Sequence, residues 1–399
     1  MGAYSVIGTW VTTTHRGRLL SLTVLYLLAF AAIFAVSVFP FAGAASGKPR
    51  PPSSTFTAVH LTAIRVGGAA WVSCPASRTC YAVADTDRHW RARSGQAEEP
   101  RVLLRSTNGG HSWTALTLPD GEYNTTTSMS CPTTRMCVMG FDGTRTSQSA
   151  GGVFITRDGG ATWSTIALPT GDGSVGCRNA TDCFAATSGR WYWTRTSWAT
   201  SAPHYGPRYD GPVACPTAHV CYVPLAGFQN VLATLERTTD GGASWSNVGK
   251  IPELSFVQTL ACPAVDRCYA GAYAYTPLVL MTADGGARWR AEGLPGGSDH
   301  GVYSLSCPAV NVCEALVRGL GGRPDEYPHL FRTTDGGASW LPQPLPGSIS
   351  DLQAVSCANV EDCAAVGSRT ADQHGTYGTR PELLSTDNGG ATWSIATVR

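Results

Sequence analysis

The sequence predicts an all-β fold, a seven-bladed β-propeller with an N-terminal hydrophobic helix. Three observations predict it. The chain is rich in Gly and Pro and poor in charged residues, two motifs recur about every 48 residues, and one long apolar segment lies near the start. A repeat of about 40–50 residues has the length of one propeller blade, and seven such blades close into a ring.

The composition favours turn-rich β structure. The 399 residues include 45 Gly and 25 Pro, which disfavour a helical bundle or a doubly wound α/β enzyme. Charged residues make up only 14% of the chain, against about a quarter in an average soluble domain. Because 29 Lys and Arg balance 28 Asp and Glu, the formal net charge is +1. Nucleic-acid binding needs a basic surface, so we expect no nucleic-acid partner.

The N-terminal segment is typical of an export signal or a membrane anchor. Positive charges within residues 1–18 precede a stretch without charge, residues 19–45, whose apolar core of about 21 residues is long enough to span a bilayer. Ala42-Gly43-Ala44 also fits a signal cleavage site, so both alternatives stay open. Either one places the following chain outside the cytoplasm. We assign residues 46–55 to a Pro/Ser-rich tether and 56–399 to the propeller.

The 14 cysteines form seven pairs, and the two members of every pair are six positions apart. A zinc knuckle has only two to four residues between its cysteines, and pairs that lie one blade apart would not converge on a metal. An exported chain forms disulfides instead. We therefore predict a disulfide within each pair, across the hairpin of the first two strands of each blade, and no metal site or cofactor. The pairs are Cys74/Cys80, Cys131/Cys137, Cys177/Cys183, Cys215/Cys221, Cys262/Cys268, Cys307/Cys313 and Cys357/Cys363.

A second motif, called here the turn motif, follows six of the seven pairs. Examples are TRDGGATW (156–163) and TTDGGASW (238–245), while the third repeat keeps only the remnant TRTSW (194–198). Asp or Asn accepts hydrogen bonds from turn amides, and Gly-Gly supplies positive φ. The Trp then opens the next strand and packs its large apolar side chain.

The turn motif resembles the Asp-box of the BNR repeat, which is found in sialidases, sortilin-type receptors and photosystem II assembly factor propellers. The resemblance covers nearly all of residues 66–399. It implies four-stranded blades in which the motif is the turn between the third and fourth strands. It does not imply a particular function, because this fold carries many.

Up-and-down strands place the cysteine turns and the turn motifs on one rim of the ring. From each motif Trp to the next Cys the spacing is a nearly constant 14–18 residues, whereas from each second Cys to the following Trp it is 15–33. The length variation therefore lies in the connections between second and third strands, on the opposite rim. Insertions on one face of a repeat fold usually mark the binding face.

Insertions in blades 6, 7 and 1 are neighbours in a closed ring and combine aromatic, Arg and carboxylate residues, as binding surfaces do. Solvated loops without a partner are the alternative interpretation. Aromatic residues 191–193 of the third repeat are either packing residues or a stacking surface. The candidate ligand-binding residues are His89, Trp90, Arg91, Arg93, Arg323, Asp325, Glu326, Tyr327, Asp372, His374 and Tyr377.

No catalytic residue is assigned. A sialidase-like site needs three Arg, a Tyr–Glu nucleophile pair and an Asp acid, and the Arg-Ile-Pro signature of that family is absent, Ile64-Arg65-Val66 being the nearest match. The sequence favours an exported or anchored, non-catalytic scaffold whose partner is a protein or glycan at the cell surface. An uncleaved N-terminal segment would add the membrane as a partner. The alternative is a sialidase-like glycoside hydrolase or carbohydrate-binding propeller.

Overall fold

The structure is a computed structural model, and the residues that it describes form strands and turns only. Among them no helix is long and apolar enough to cross a membrane. The predicted hydrophobic segment, residues 19–45, lies outside the described residues. The described residues are 53–57, 66–86, 101–119, 126–141, 151–168, 174–187, 190–193, 212–227, 232–254, 256–272, 276–295, 300–319, 329–347, 349, 351–370 and 379–399.

The described strands form seven sheets, numbered by repeat, and the strands of each repeat pair antiparallel. A further strand, β1 (Ser53–Thr57), precedes them in the chain. Sheet 1 contains β2 (Val66–Ala76), β3 (Thr79–Thr86), β4 (Arg101–Ser106) and β5 (Ser112–Thr117). Sheet 2 contains β6 (Thr126–Ser130), β7 (Cys137–Phe141), β8 (Gly152–Thr156) and β9 (Thr162–Ala167). Sheet 3 contains β10 (Ser174–Cys177), β11 (Cys183–Thr187) and β12 (Arg190–Trp193). Sheet 4 contains β13 (Cys221–Leu225), β14 (Thr234–Thr238) and β15 (Ser246–Lys250).

The remaining sheets each have four strands. Sheet 5 contains β16 (Thr259–Ala261), β17 (Cys268–Ala272), β18 (Leu278–Thr282) and β19 (Arg290–Gly293). Sheet 6 contains β20 (His300–Ala309), β21 (Val312–Gly319), β22 (His329–Thr333) and β23 (Leu341–Pro342). Sheet 7 contains β24 (Leu352–Cys357), β25 (Cys363–Thr370), β26 (Thr379–Thr386) and β27 (Ser394–Ile395), and β28 (Thr397–Val398) ends the chain.

The predicted fold class, seven blades and an N-terminal helix, is wrong in two respects. Six sheets have the outer hairpin of a blade, closed by a turn motif, and they are called blades 1, 2, 4, 5, 6 and 7. Sheet 3 has three strands and no such hairpin among its described residues, because its repeat has lost the acidic residue and both glycines of the turn. No helix occurs in the described part of the chain. The fold is an all-β propeller with six such blades and one smaller sheet.

The hydrophobic core lies between neighbouring sheets. The first strands of sheets 5, 6, 7, 1, 2 and 3 contact one another in that order, so they are the innermost strands of the ring. Seven clusters of buried apolar side chains fill the junctions, including the one between blade 7 and blade 1. At the junction of blades 1 and 2, for example, Tyr81 and Leu103 pack with Phe154 and Trp163, and all four are buried.

Disulfides and turn motifs together fix one rim, the disulfide rim. All seven predicted disulfides are present, which confirms that prediction. In blade 2, Gly159 and Gly160 of the turn motif have φ of 80° and 91°, a region that favours glycine. The Gly159 amide donates a 2.7 Å hydrogen bond to the Arg135 carbonyl of the disulfide loop. Every other blade repeats this bond at the equivalent residues.

Both ends of the propeller add strands to outer edges. β1 pairs antiparallel with β9 of blade 2, and β28 pairs parallel with β5 of blade 1. Residues 393–398 do not form one continuous outer strand of blade 7. The structure divides this segment, because β27 completes blade 7 and the chain then crosses to blade 1. The closing junction is therefore bridged by the C-terminal residues.

Candidate functional site

The predicted ligand-binding residues cannot be placed. All of them lie in 87–100, 320–328 or 371–378, outside the described residues. The aromatic residues 191–193 form part of β12, which pairs with β11, and their side chains are not described. The described residues at the roots of the insertions nevertheless show a polar cluster that the sequence did not indicate. It lies on the rim opposite the disulfides, called here the insertion rim.

The cluster starts from β-bulges in the inner strands. In blades 1, 2, 6 and 7 the pairing of the first two strands shifts register at the residue four positions before the first Cys. A bulge bends the strand and re-aims the side chain at that position. The bulged residues are Ala70, Thr127, Tyr303 and Gln353. Large polar side chains thus occupy this position in the adjacent blades 6 and 7.

Both of these side chains meet Arg318, which lies near the end of β21. The Arg318 guanidinium carbon lies 4.8 Å from the centroid of the Tyr303 ring, and its Nη1 donates a hydrogen bond to Gln353 Oε1. Its Nη2 lies 3.2 Å from Asp351 Oδ1. Gln353 Nε2 completes a triangle by donating a 2.6 Å hydrogen bond to Asp351 Oδ2. The Arg318 and Asp351 side chains are 25% and 36% exposed, so solvent reaches both charges.

A second carboxylate joins the cluster. The amide of Asp351 donates a 3.1 Å hydrogen bond to Glu382 Oε2, and the Ser368 hydroxyl lies 3.4 Å from Asp351 Oδ2. Burial raises the pKa of Asp351, while the Arg318 charge and the Gln353 hydrogen bond oppose that rise. A carboxyl whose pKa is shifted by burial beside a specific charge partner is a candidate functional group.

Two other blades carry a small residue at a position equivalent to one in this cluster. The bulge position is Ala70 in blade 1, and the position equivalent to Arg318 is Ala226 in blade 4. The only sequence signal that could have found the site is a large polar residue, Tyr303 or Gln353, four positions before a first Cys. Nothing in the sequence shows that these residues and Arg318 meet, because they belong to different repeats.

A buried ion pair on the disulfide rim has a structural role. Tyr81, Tyr222 and Tyr269 follow the second Cys of their blades, and each hydroxyl donates to a carbonyl in the next disulfide loop. Blade 6 has Glu314 at this position, 2.7 Å from Arg332 Nη1, and Arg332 Nη2 donates to the Val360 carbonyl in the next loop. Burial raises the pKa of Glu314 to about 7 although Arg332 opposes the rise.

No group of His, Cys, Asp or Glu within the described ranges is arranged to hold a metal ion. The prediction that the protein uses no cofactor stays a prediction. The polar cluster on the insertion rim can form hydrogen bonds through a guanidinium stacked on a Tyr ring, an amide and two carboxylates. Solvent reaches this rim.

Comparisons with known proteins give the fold but no family. No family model and no curated protein matches the chain. The β-propeller domain of the Trilobed protease from Pyrococcus furiosus is 8% identical, with a TM-score of 0.50 over 83% of this chain and 98% of that chain. The chain is a β-propeller.

Two further similar structures are more distant in shape. The GH74 xyloglucanase from Xanthomonas campestris is 17% identical, with a TM-score of 0.43 over 86% of this propeller and 47% of the enzyme. YCF48 bound to D1 peptide is 12% identical, with a TM-score of 0.38 over 85% and 83% of the two chains. This propeller spans about half the length of the GH74 enzymes that it matches, 47% and 54%. At these identities the similarity describes the fold alone.

Proposed function

We propose that this chain is an exported or membrane-anchored member of the Asp-box propellers that binds a partner at the cell surface and catalyses no reaction. One observation carries the proposal, the uniform hydrogen bond from the turn motif to the disulfide loop in six blades. It holds this rim of the six blades to a single repeated geometry, so the differences in connection length between them lie on the other rim. A rigid ring with unequal connections on one rim suits a specific binding surface.

Seven disulfides support the location, because they form in oxidising compartments outside the cytoplasm. The polar partners of Asp351 support a binding role. Its carboxylate oxygens accept hydrogen bonds from Arg318 and Gln353, and these two side chains hold the carboxylate in place. The arc of insertions in blades 6, 7 and 1 is the proposed contact surface, and its partner is a protein or glycan.

The test is binding of the labelled full chain to intact cells of its native host that lack their own copy. The full chain is purified in a polyoxyethylene detergent, because the N-terminal segment is apolar and this detergent has no sugar headgroup. We expect saturable binding by the wild type and at least about tenfold weaker binding when Trp90, Arg323, Tyr327 and Tyr377 are all replaced by Ala. Equal binding by a folded quadruple variant would overturn the assignment of the surface, and no saturable binding would overturn the function.

A glycoside hydrolase is the second candidate function, and one observation favours it. Asp351 and Glu382, two carboxylates, lie in one cluster on the insertion rim. Glycosidases use a pair of carboxylates as acid and as nucleophile or base. The measurement is hydrolysis of neutral polysaccharides by the wild type and by Asp351→Asn. Hydrolysis that the variant loses would replace the non-catalytic proposal with this one.

A further inference from the structure

We propose that Arg318, Asp351, Gln353 and Tyr303 form a binding site for an uncharged saccharide at the junction of blades 6 and 7. The inference rests on the proposed binding function and deepens it, because it adds described residues and names the class of ligand. Its first support is the comparison between equivalent positions within this chain. The bulge in blade 1 forms with Ala70, so the bulge itself does not require the aromatic ring of Tyr303 or the amide of Gln353.

The second support is the cost of such a cluster. Partly burying a guanidinium and a carboxylate removes water from both, and apolar packing would be as stable or more so. The junction of blades 6 and 7 already has its own cluster of buried apolar residues, including Leu316, Leu330 and Leu352. Packing alone therefore does not explain the charges at the junction of blades 6 and 7.

The third support is the arrangement of donors and acceptors. Arg318 stacks beside Tyr303 and is held by Asp351 and Gln353, so the N–H groups of its two Nη atoms have a fixed direction, whereas its Nε is buried. The partly exposed Asp351 carboxylate offers acceptors next to these donors. A pair of neighbouring sugar hydroxyls can donate to the carboxylate and accept from the guanidinium at the same time. Fixed polar groups bind such a ligand without the entropy cost of ordering them.

Charge argues for an uncharged ligand. An anionic ligand would be repelled by the partly exposed Asp351 carboxylate. Glu382, whose Oε2 accepts from the Asp351 amide, is buried and would not meet the ligand. A cationic ligand would meet Arg318, which lies 3.2 Å from the same Asp351. Neither sign is favoured by the site as a whole, whereas hydroxyl groups suit both of its faces.

The experiment is calorimetric titration of the full chain, again in a polyoxyethylene detergent, with neutral hexasaccharides of glucose, mannose, galactose and xylose. An oligogalacturonate and a chitosan oligosaccharide are the anionic and cationic probes. We expect one neutral saccharide to bind, and Arg318→Met and Gln353→Ala each to weaken it about tenfold or more.

Gln258→Ala is the matched control, because Gln258 has the same position in blade 5 as Gln353 in blade 7 and its side chain is exposed. It should bind as the wild type does. Melting curves establish that each variant is folded, and Arg318→Lys serves as the second variant if Arg318→Met does not fold.

Three outcomes would overturn the inference. They are no binding of any neutral probe, preferred binding of a charged probe, and unchanged binding by folded Arg318 and Gln353 variants. The cell-binding assay separates this failure from failure of the proposed function. Saturable binding to cells without binding of a neutral saccharide contradicts only the inference, whereas the absence of both contradicts the two proposals together.

Discussion

The hydroxyl oxygen of Ser356 in blade 7 accepts a 3.0 Å hydrogen bond from the amide of Cys74 in blade 1, across 282 sequence positions. The equivalent bond joins three other pairs of neighbouring sheets, with Ser73 accepting from Cys131, Ser130 from Cys177 and Ser306 from Cys357. The ring is therefore closed by the same inner-strand contact that joins repeats consecutive in the chain.

We expect Ser356→Ala to lower the free energy of unfolding by about 1 kcal/mol, because the Cys74 amide loses its acceptor at a partly buried position. Urea denaturation of the full chain measures the change. Ser394→Ala in β27 is the control, since that side chain is exposed. Equal stability of the two variants would show that the closing bond contributes nothing.

The Trp residues of the turn motifs should differ in their contribution to stability. Trp163 is 0% exposed in the junction of blades 1 and 2, so Trp163→Ala should cost about 3–5 kcal/mol through the cavity that it leaves. Trp245 is only half-buried, with its ring 5.3 Å from that of Phe184, and Trp245→Ala should cost less. Denaturation midpoints of the two variants test this order. A larger loss for Trp245→Ala would contradict the role of burial.

Peptide mapping without reduction should find each disulfide within its own seven-residue segment. Removing one bridge, by replacing Cys131 and Cys137 with Ala, should lower stability by about 2 kcal/mol, because the loop closed in the unfolded chain is short. Thermal unfolding of oxidised protein measures this loss. Links between different blades, or free thiols in the oxidised protein, would be incompatible with the structure.

Glu314 should make the stability depend on pH. Burial raises its pKa to about 7 from an ordinary 4.5, so the folded protein binds more protons than the unfolded chain between these values. Stability should therefore fall as pH rises from about 5 to about 8. Glu314→Gln keeps an acceptor for Arg332 and should flatten this part of the profile, as measured by urea denaturation at each pH.

The exposed Glu361→Gln variant is the control for Glu314→Gln and should retain the wild-type slope. A wild-type profile that is flat over this range would mean that Arg332 keeps the buried carboxyl ionised throughout.

Local chemistry explains why much of the fold could be predicted from the sequence. A disulfide spans seven residues and a turn motif spans eight, so each forms within one hairpin and shows in the spacing of Cys, Gly and Trp. Their repetition predicted the strand order, the disulfides and the shared rim. The loss of the turn motif in the third repeat was visible as well, but its consequence, a three-stranded sheet among the described residues, was not.

The tertiary structure alone decided which residues of different repeats meet. Arg318 and Asp351 are 33 positions apart and come together only because blades 6 and 7 pack side by side and a bulge turns Gln353 toward them. Likewise, no sequence motif indicates that β1 pairs with blade 2 and β28 with blade 1. Such contacts depend on packing between sheets, which no short sequence motif encodes.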